Sequence, residues 1–400
     1  MAEMLAHSPP LPLVIDYIDK ARDITAKDEE TILLALQYRD RVRNIRLLIP
    51  TTNLRKLLPL IEEEFPILEY LFIEPLTEDG KCMMLPRSFR APDLRHLILI
   101  NFALPLGSPL LVTAVGLVTL SLRHIPQSIY FRPGELLRRL SFLPQLETLG
   151  ITFGTPVLKL DVESQLLNAP IMTHVTLPNL RWFGFKGVSA YLEALLPWIT
   201  TPLLEKLQII FFNQLTFSLP HFAPFISTNV NLRFSSSKLG FYDKGLILWV
   251  YPHKGAKVYA WYTRIPCKHL DWQVSCAVQI LNALHPASLS AIVDLTLEYE
   301  RASVSPECHD LVDRNHLHEL LRSFANIKTL HVSYTLVREL VHSLQTEDGE
   351  LPMLPELKEI TYSGKEDASD ALMPFMDIRK NAGCPVTLAH QEMPGSWRWS

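Results

Sequence analysis

Within "CKHLDW", residues 267 to 272, a thiol, an imidazole and a carboxylate stand close together. Cys267 and His269 are of types that bind zinc, and ligand pairs in structural zinc sites stand about two to four residues apart. Cys308 and His309 are adjacent and add no second pair of that kind. His269 and Asp271 could instead do acid–base work, since a carboxylate can orient an imidazole. Each reading has a plainer rival. The thiols suit ordinary packing, and Asp271 falls at a helix start, where a carboxylate satisfies free amides. No phosphate loop, G-x-S-x-G elbow, H-E-x-x-H or paired-cysteine pattern occurs elsewhere. The chain therefore carries no positive sign of an enzyme, a cofactor or a metal site, and an active site around His269 and Asp271 stays only as the alternative.

Bulk properties narrow the classes further. The chain has 400 residues, of which 48% are hydrophobic and 20% charged, enough for a large core. Its net charge of −4 supplies no field to attract nucleic acid or anionic membrane, so neither is an expected partner. The N-terminus lacks a basic leader, and no apolar run reaches the length of about 18 residues that a span needs. The 5 cysteines are scattered and never in C-x-x-C spacing, as in reduced thiols, which points to cytoplasm or nucleus. Glu62, Glu63 and Glu64 read as a solvated helix face. The terminal "GSWRWS" reads as a frayed tail.

What must position any site is a repeat. A proline stands two places before an apolar anchor in "FPILEYLFI", "APDLRHLIL", "LPQLETLGI", "LPNLRWFGF", "TPLLEKLQI" and "LPELKEITY". The same L-x-x-L-x-L skeleton without proline begins at Val42, Leu117, Ile292 and Ile327. Anchors at 42, 68, 94, 117, 146, 180 and 204 are 23 to 34 residues apart, near the period of about 20 to 29 residues of leucine-rich repeats. Between them the apolar period changes from two to helical, as at Leu54, Leu57, Leu58 and Ile61, at Leu192, Leu195, Leu196 and Ile199, and at Leu317, Leu320, Leu321 and Phe324. The proline marks the corner where helix gives way to strand. No copy has the Asn or Cys of an amide ladder at position 9; Phe102, Ile125, Gly154, Val188 and Phe212 stand there.

The expected fold is therefore α/β, a leucine-rich-repeat solenoid with a curved parallel sheet on its concave face and helices on its convex face. Residues 1–40 would form a flank and capping helix, with Thr25 as its cap and Ile32, Leu33 and Leu36 inward. Residues 41–390 would form the repeat domain, and 391–400 a flexible tail. Residues 230–291 break the register. They read as one enlarged repeat bulging outward, with a β-hairpin around Gly255 and then a helix carrying Val274, Ala277, Val278, Leu281 and Leu284 inward.

Several phrases, "SPPLPLVIDYIDKARDIT", "LQYRDRVRNIRL", "APDLRHLILINFALPLGSPLL", "THVTLPNLRWFGFKGVSAYLEALL" and "CKHLDWQVS" among them, resemble basidiomycete fungal F-box-like proteins with degenerate leucine-rich repeats. The resemblance runs from about residue 8 to about residue 390. It implies repeats that receive a substrate protein for a cullin-type ubiquitin ligase, whose adaptor would be a partner only if an F-box lies upstream. Only a handful of residues precede "PPLPLVIDY", so the expectation is a chain that begins after that module, or an F-box-less paralogue without independent function.

Strand alternation puts repeat positions 3, 5 and 7 on the concave face. The candidate protein-binding residues are Tyr70, His96, Arg123, Trp182, Lys186, Lys206 and Gln208, with Phe72 and Thr119 beside them and Asp294, Glu298, Thr329, His331 and Glu359 later. At about 4.8 Å per strand, ten repeats would span about 45 Å, which fits an unknown protein ligand rather than a small molecule. Leu180, Phe183 and Phe185 should be core, with Trp182, Gly184 and Lys186 facing the groove.

Overall fold

The computed structural model describes residues 11–18, 24–76, 83–105, 107–126, 129–154, 171–212, 214, 216–284, 286–300, 314–344, 353–363 and 368–391. Cys82, Cys308, His309 and the "GSWRWS" tail lie outside the described residues. The chain divides into two compact units, Met1–Leu204 and Glu205–Ser400.

The first unit is a parallel sheet of strands β1 (Leu13–Tyr17), β2 (Val42–Pro50), β3 (Tyr70–Leu76), β4 (His96–Ile100), β5 (Thr119–Ile125), β6 (Thr148–Phe153) and β7 (Trp182–Gly187), paired in chain order. Register stacks the anchors: Leu71, Leu97, Leu120, Leu149 and Phe183 form one row and Ile73, Leu99, Leu122, Ile151 and Phe185 the next. All ten are buried, as is Leu180. Fully burying an aliphatic side chain is worth about 1.5–3 kcal/mol, so these rows fix which face of every strand is core.

The recurrent proline has a more specific role than a helix stop. In all six proline-bearing copies the residue before it accepts a backbone hydrogen bond from the anchor three places on, as in Leu177 O from Leu180 N (3.3 Å) and Ala91 O from Leu94 N (3.2 Å). Proline thus occupies the second position of a tight turn, where its fixed φ is preorganised. At position 9, buried Phe102, Ile125 and Phe212 pack where an amide ladder would otherwise bond.

Helix α1 (Ala26–Gln37) begins with a capping box, Asp28 N donating to Thr25 Oγ1 (3.2 Å) and Thr25 N to Asp28 Oδ2 (3.1 Å). Ile32 and Leu36 are buried beneath it. Glu29 accepts from Lys56 Nζ at 2.7 Å and from Asn53, fastening α1 to α2 (Thr51–Leu57). The flank holds more than this helix, because β1 precedes it and pairs parallel to β2. Helices α3 (Pro133–Leu140) and α4 (Ser189–Leu195) complete the unit's main helices, and α4 stops before Pro197 as its sequence requires.

The second unit contains β8 (Lys206–Phe211), α5 (Phe222–Thr228), β9 (Ser236–Tyr242), β10 (Gly245–Tyr251), β11 (Trp261–Ile265), α6 (Leu270–Asn282), β12 (Asp294–Glu300), α7 (Arg314–Arg322), β13 (Thr329–Ser333), α8 (Val337–Leu344), β14 (Glu359–Ser363), α9 (Ala368–Asn381) and β15 (Thr387–Gln391). The sheet order is β8, β11, β10, β9, β12, β13, β14, β15. The expected hairpin exists as β10 and β11, antiparallel, with Gly255 at φ +77° in the turn. It does not bulge outward as expected. β9 adds a third strand antiparallel to β10, and the meander is spliced into the sheet, β11 parallel to β8 and β9 parallel to β12. The physical reason is that both outer strands of a three-stranded meander run the same way, so a single antiparallel strand leaves each edge matched to a parallel neighbour. On α6, Val274, Ala277, Val278 and Leu281 are buried as their spacing requires, and Leu284, expected to continue the helix, is buried just beyond its end.

Candidate functional site

On the sheet face opposite the buried anchors, the first unit presents side chains in rows. One row is Asn44, Tyr70, His96, Thr119, Thr148 and Trp182; the next is Arg46, Phe72, Ile98, Ser121, Gly150 and Gly184. Every expected candidate in this unit lies on this face, half-buried except for exposed Arg123. The rings of Tyr70 and His96 are 5.7 Å apart, and His96 Nδ1 lies 3.1 Å from Thr119 Oγ1. Arg46 meets Asp16 of β1 at 2.9 Å.

Trp182 does not stand up from the sheet. A Cβ placed on Gly184 would lie 2.2 Å from its Cη2, and one on Gly150 would lie 3.2 Å from its Cζ3. The indole therefore lies flat across two glycines of neighbouring strands. Gly184 is buried by this ring instead of facing a groove.

Beyond Trp182, β5 carries a register shift between Leu122 and Ile125, and His124 adopts φ +55°. Its N–H donates to Thr152 Oγ1 (2.9 Å), while Arg123 Nε donates to Ser121 Oγ (3.0 Å). Lys186 of β7 pairs in register with the same Thr152. Partial burial, then the Lys186 charge, lowers the His124 pKa below the usual imidazole value, against the opposing pull of Glu74.

In the second unit a row runs Gln208, Tyr262, Trp249, Lys238, Thr296, His331. The candidates Gln208 and His331 are joined by three residues of the spliced meander that sequence reasoning missed. Lys238 Nζ is 5.2 Å from the Trp249 ring centroid and 2.7 Å from Glu298 Oε1. Trp249 meets Tyr242 and Tyr262 edge-on at 6.2 and 6.0 Å. Tyr259 Oη donates to Gln208 Oε1 (3.3 Å), and Tyr242 Oη to Glu298 Oε2 (3.1 Å). Burial first, and then Glu298, drives the Tyr242 phenol well above its ordinary range. The missed signal was the alternation in "SSKLGFY", the strand that brings Lys238 beside Trp249 and Thr296. Asp294, Thr329 and Glu359 form the adjacent row, where Asp294 pairs with Lys254 at 3.0 Å. Lys206 begins β8, so Trp182 and Lys206, expected on one face, belong to separate units.

The stretch that could do chemistry resolves differently. Asp271 is the second residue of α6, and its Oδ1 lies 3.3 Å from Nδ1 of His316 on α7. The His269 ring sits edge-on to Trp272 at 4.5 Å. Cys267 and Cys276 are buried, their thiols donating to the carbonyls of Ile265 (3.8 Å) and Gln214 (3.7 Å), and the influence of each thiol on the other holds Cys267 down and pushes Cys276 up. Among the described residues no group of three His, Cys, Asp or Glu is placed to hold a metal ion, and no helix is long and apolar enough to cross a membrane.

No protein-family model matches the sequence, and no curated protein matches it. Among solved structures, the chain is similar to one chain of the crystal structure of a TLR13–ssRNA13 complex, at 14% identity with a TM-score of 0.32. The match covers 81% of this chain and 36% of that one, so the chain spans about a third of the solved protein's length.

Proposed function

We propose that the protein is a non-enzymatic scaffold whose open sheet face binds another protein. One observation carries this reading: half-buried aromatic rings and charged side chains stand in registered rows on a rigid sheet, with Trp182 spread flat over Gly150 and Gly184. Aromatic and arginine side chains are enriched at the cores of protein interfaces, and a face whose backbone is locked in a sheet loses little entropy on binding. Affinity capture with the full chain, followed by cross-linking, tests it. A partner captured by the wild type should be lost with Tyr70→Ser, Phe72→Ser; equal capture by both chains would refute the assignment of this face.

The resemblance to F-box-like proteins supports a narrower reading, delivery of the bound protein to a cullin-type ubiquitin ligase. That reading expects the ligase adaptor to co-purify with the full-length gene product. If the adaptor stays behind while the partner is captured, the scaffold alone remains.

A further inference from the structure

Resting on that scaffold reading, we propose that the Trp182 end of the first unit's open face docks an acidic segment of the partner protein. Arg123, His124 and Lys186 converge there from β5 and β7, on either side of Thr152 of β6. With strands about 4.8 Å apart, the two permanent cations are rooted about 10 Å from each other. Acidic side chains on alternate residues of an extended chain lie about 7 Å apart, within reach of both.

The backbone is shaped for this. The shift in β5 and the left-handed conformation of His124, held by its N–H to Thr152 Oγ1 at 2.9 Å, break the regular pleat just after Arg123, which stays on the open face with its Nε on Ser121 Oγ at 3.0 Å. A non-glycine residue in that conformation costs free energy and persists where its surroundings fix it. Glu74 is the acidic group whose field reaches His124 against those of Lys186 and Arg123, so the local balance is positive in a chain whose net charge is −4. Two positions before Lys186 on the same face lies Gly184, covered by the indole of Trp182. A partner segment would place carboxylates between the guanidinium and the ammonium group, and an apolar side chain on the indole face.

The test uses the full chain and a fluorescein-labelled ten-residue peptide of alternating Glu and Leu, read by anisotropy. Saturable binding is expected, weakening about tenfold between about 50 and about 300 mM NaCl. Arg123→Glu, Lys186→Glu should weaken it by at least about tenfold, as reversal of two contacting charges does. Arg55→Glu, exposed on α2, should leave it unchanged, and a peptide with Lys in place of Glu should not bind. Unaltered thermal melting of each variant shows that the fold is intact. Equal binding by the double variant, or preference for a charge-matched single-stranded RNA over the peptide, would overturn the proposal. If the peptide fails while Tyr70→Ser, Phe72→Ser still abolishes protein capture, the acidic chemistry is wrong and the scaffold stands. If both fail, both readings fall.

Discussion

At single positions, the same nominal clash has different consequences depending on what it meets. A Cβ on Gly184 would strike the far edge of the Trp182 ring at 2.2 Å, and that ring can swing aside. Gly184→Ala should therefore cost only about 1 kcal/mol or less while changing the near-ultraviolet circular dichroism of the indole and weakening capture of the partner. A Cβ on Gly245 would lie 2.2 Å from the Ile265 carbonyl oxygen, at φ +143°, where neither backbone can yield. Gly245→Ala should cost about 3 kcal/mol or more in urea unfolding, and equal midpoints for the two glycine variants would refute this distinction. Arg379 is a third case. It is fully buried, with Nη1 donating to the carbonyls of Met353 and Leu354 and Nη2 to those of Pro355 and Leu357. Arg379→Met strands these acceptors and should cost about 2–4 kcal/mol. Arg379→Lys should rescue little, since an ammonium cannot fork between two pairs of carbonyls.

At the level of elements, the ten anchors legible from spacing alone all became strands, because each carries leucine-like side chains that must share one face, and six add a turn-setting proline. Among the described residues of the long sheet, three strands were missed for identifiable reasons. In Leu13–Tyr17 and Thr387–Gln391 few side chains are buried, Ile15 alone in the former, so alternation is faint. Ser236–Tyr242 alternates well, but its place beside β12 depends on pairing across more than fifty residues. The candidate site shows the same division. Strand alternation sufficed to place Tyr70, His96 and Trp182 on the open face, whereas the flat indole requires Gly150 and Gly184 to fall in register, which local sequence does not encode. The capping helix was legible because its box is local. Thr25→Ala should loosen α1 by about 1 kcal/mol. With Glu29→Ala added, amide exchange should accelerate in α1 while the amides of β5 and β6 keep their protection; equal acceleration in both would mean that α1 is not a separable lid.

Across the whole molecule, each compact unit carries on its open face an imidazole whose pKa is lowered. For His124 the causes are burial and then Lys186; for His331 burial comes first, with Lys238 and Lys254 adding to it and Glu298 opposing. Unfolded, either ring takes up its proton near pH 6.5, the ordinary value; folded, it does so only at lower pH. Between those two values the unfolded chain binds more protons, so stability rises with pH. The contribution is complete above about pH 6.5 and is lost as pH falls through the folded-state values. Acidification from about pH 7.5 to about pH 5.5 should therefore destabilise both units before most carboxylates titrate. His331→Gln should flatten this loss in the exchange rates of β12 to β14 and leave β4 to β6 unaffected, and His124→Gln should do the reverse. Identical pH profiles for wild type and both variants would show that neither imidazole governs the acid response.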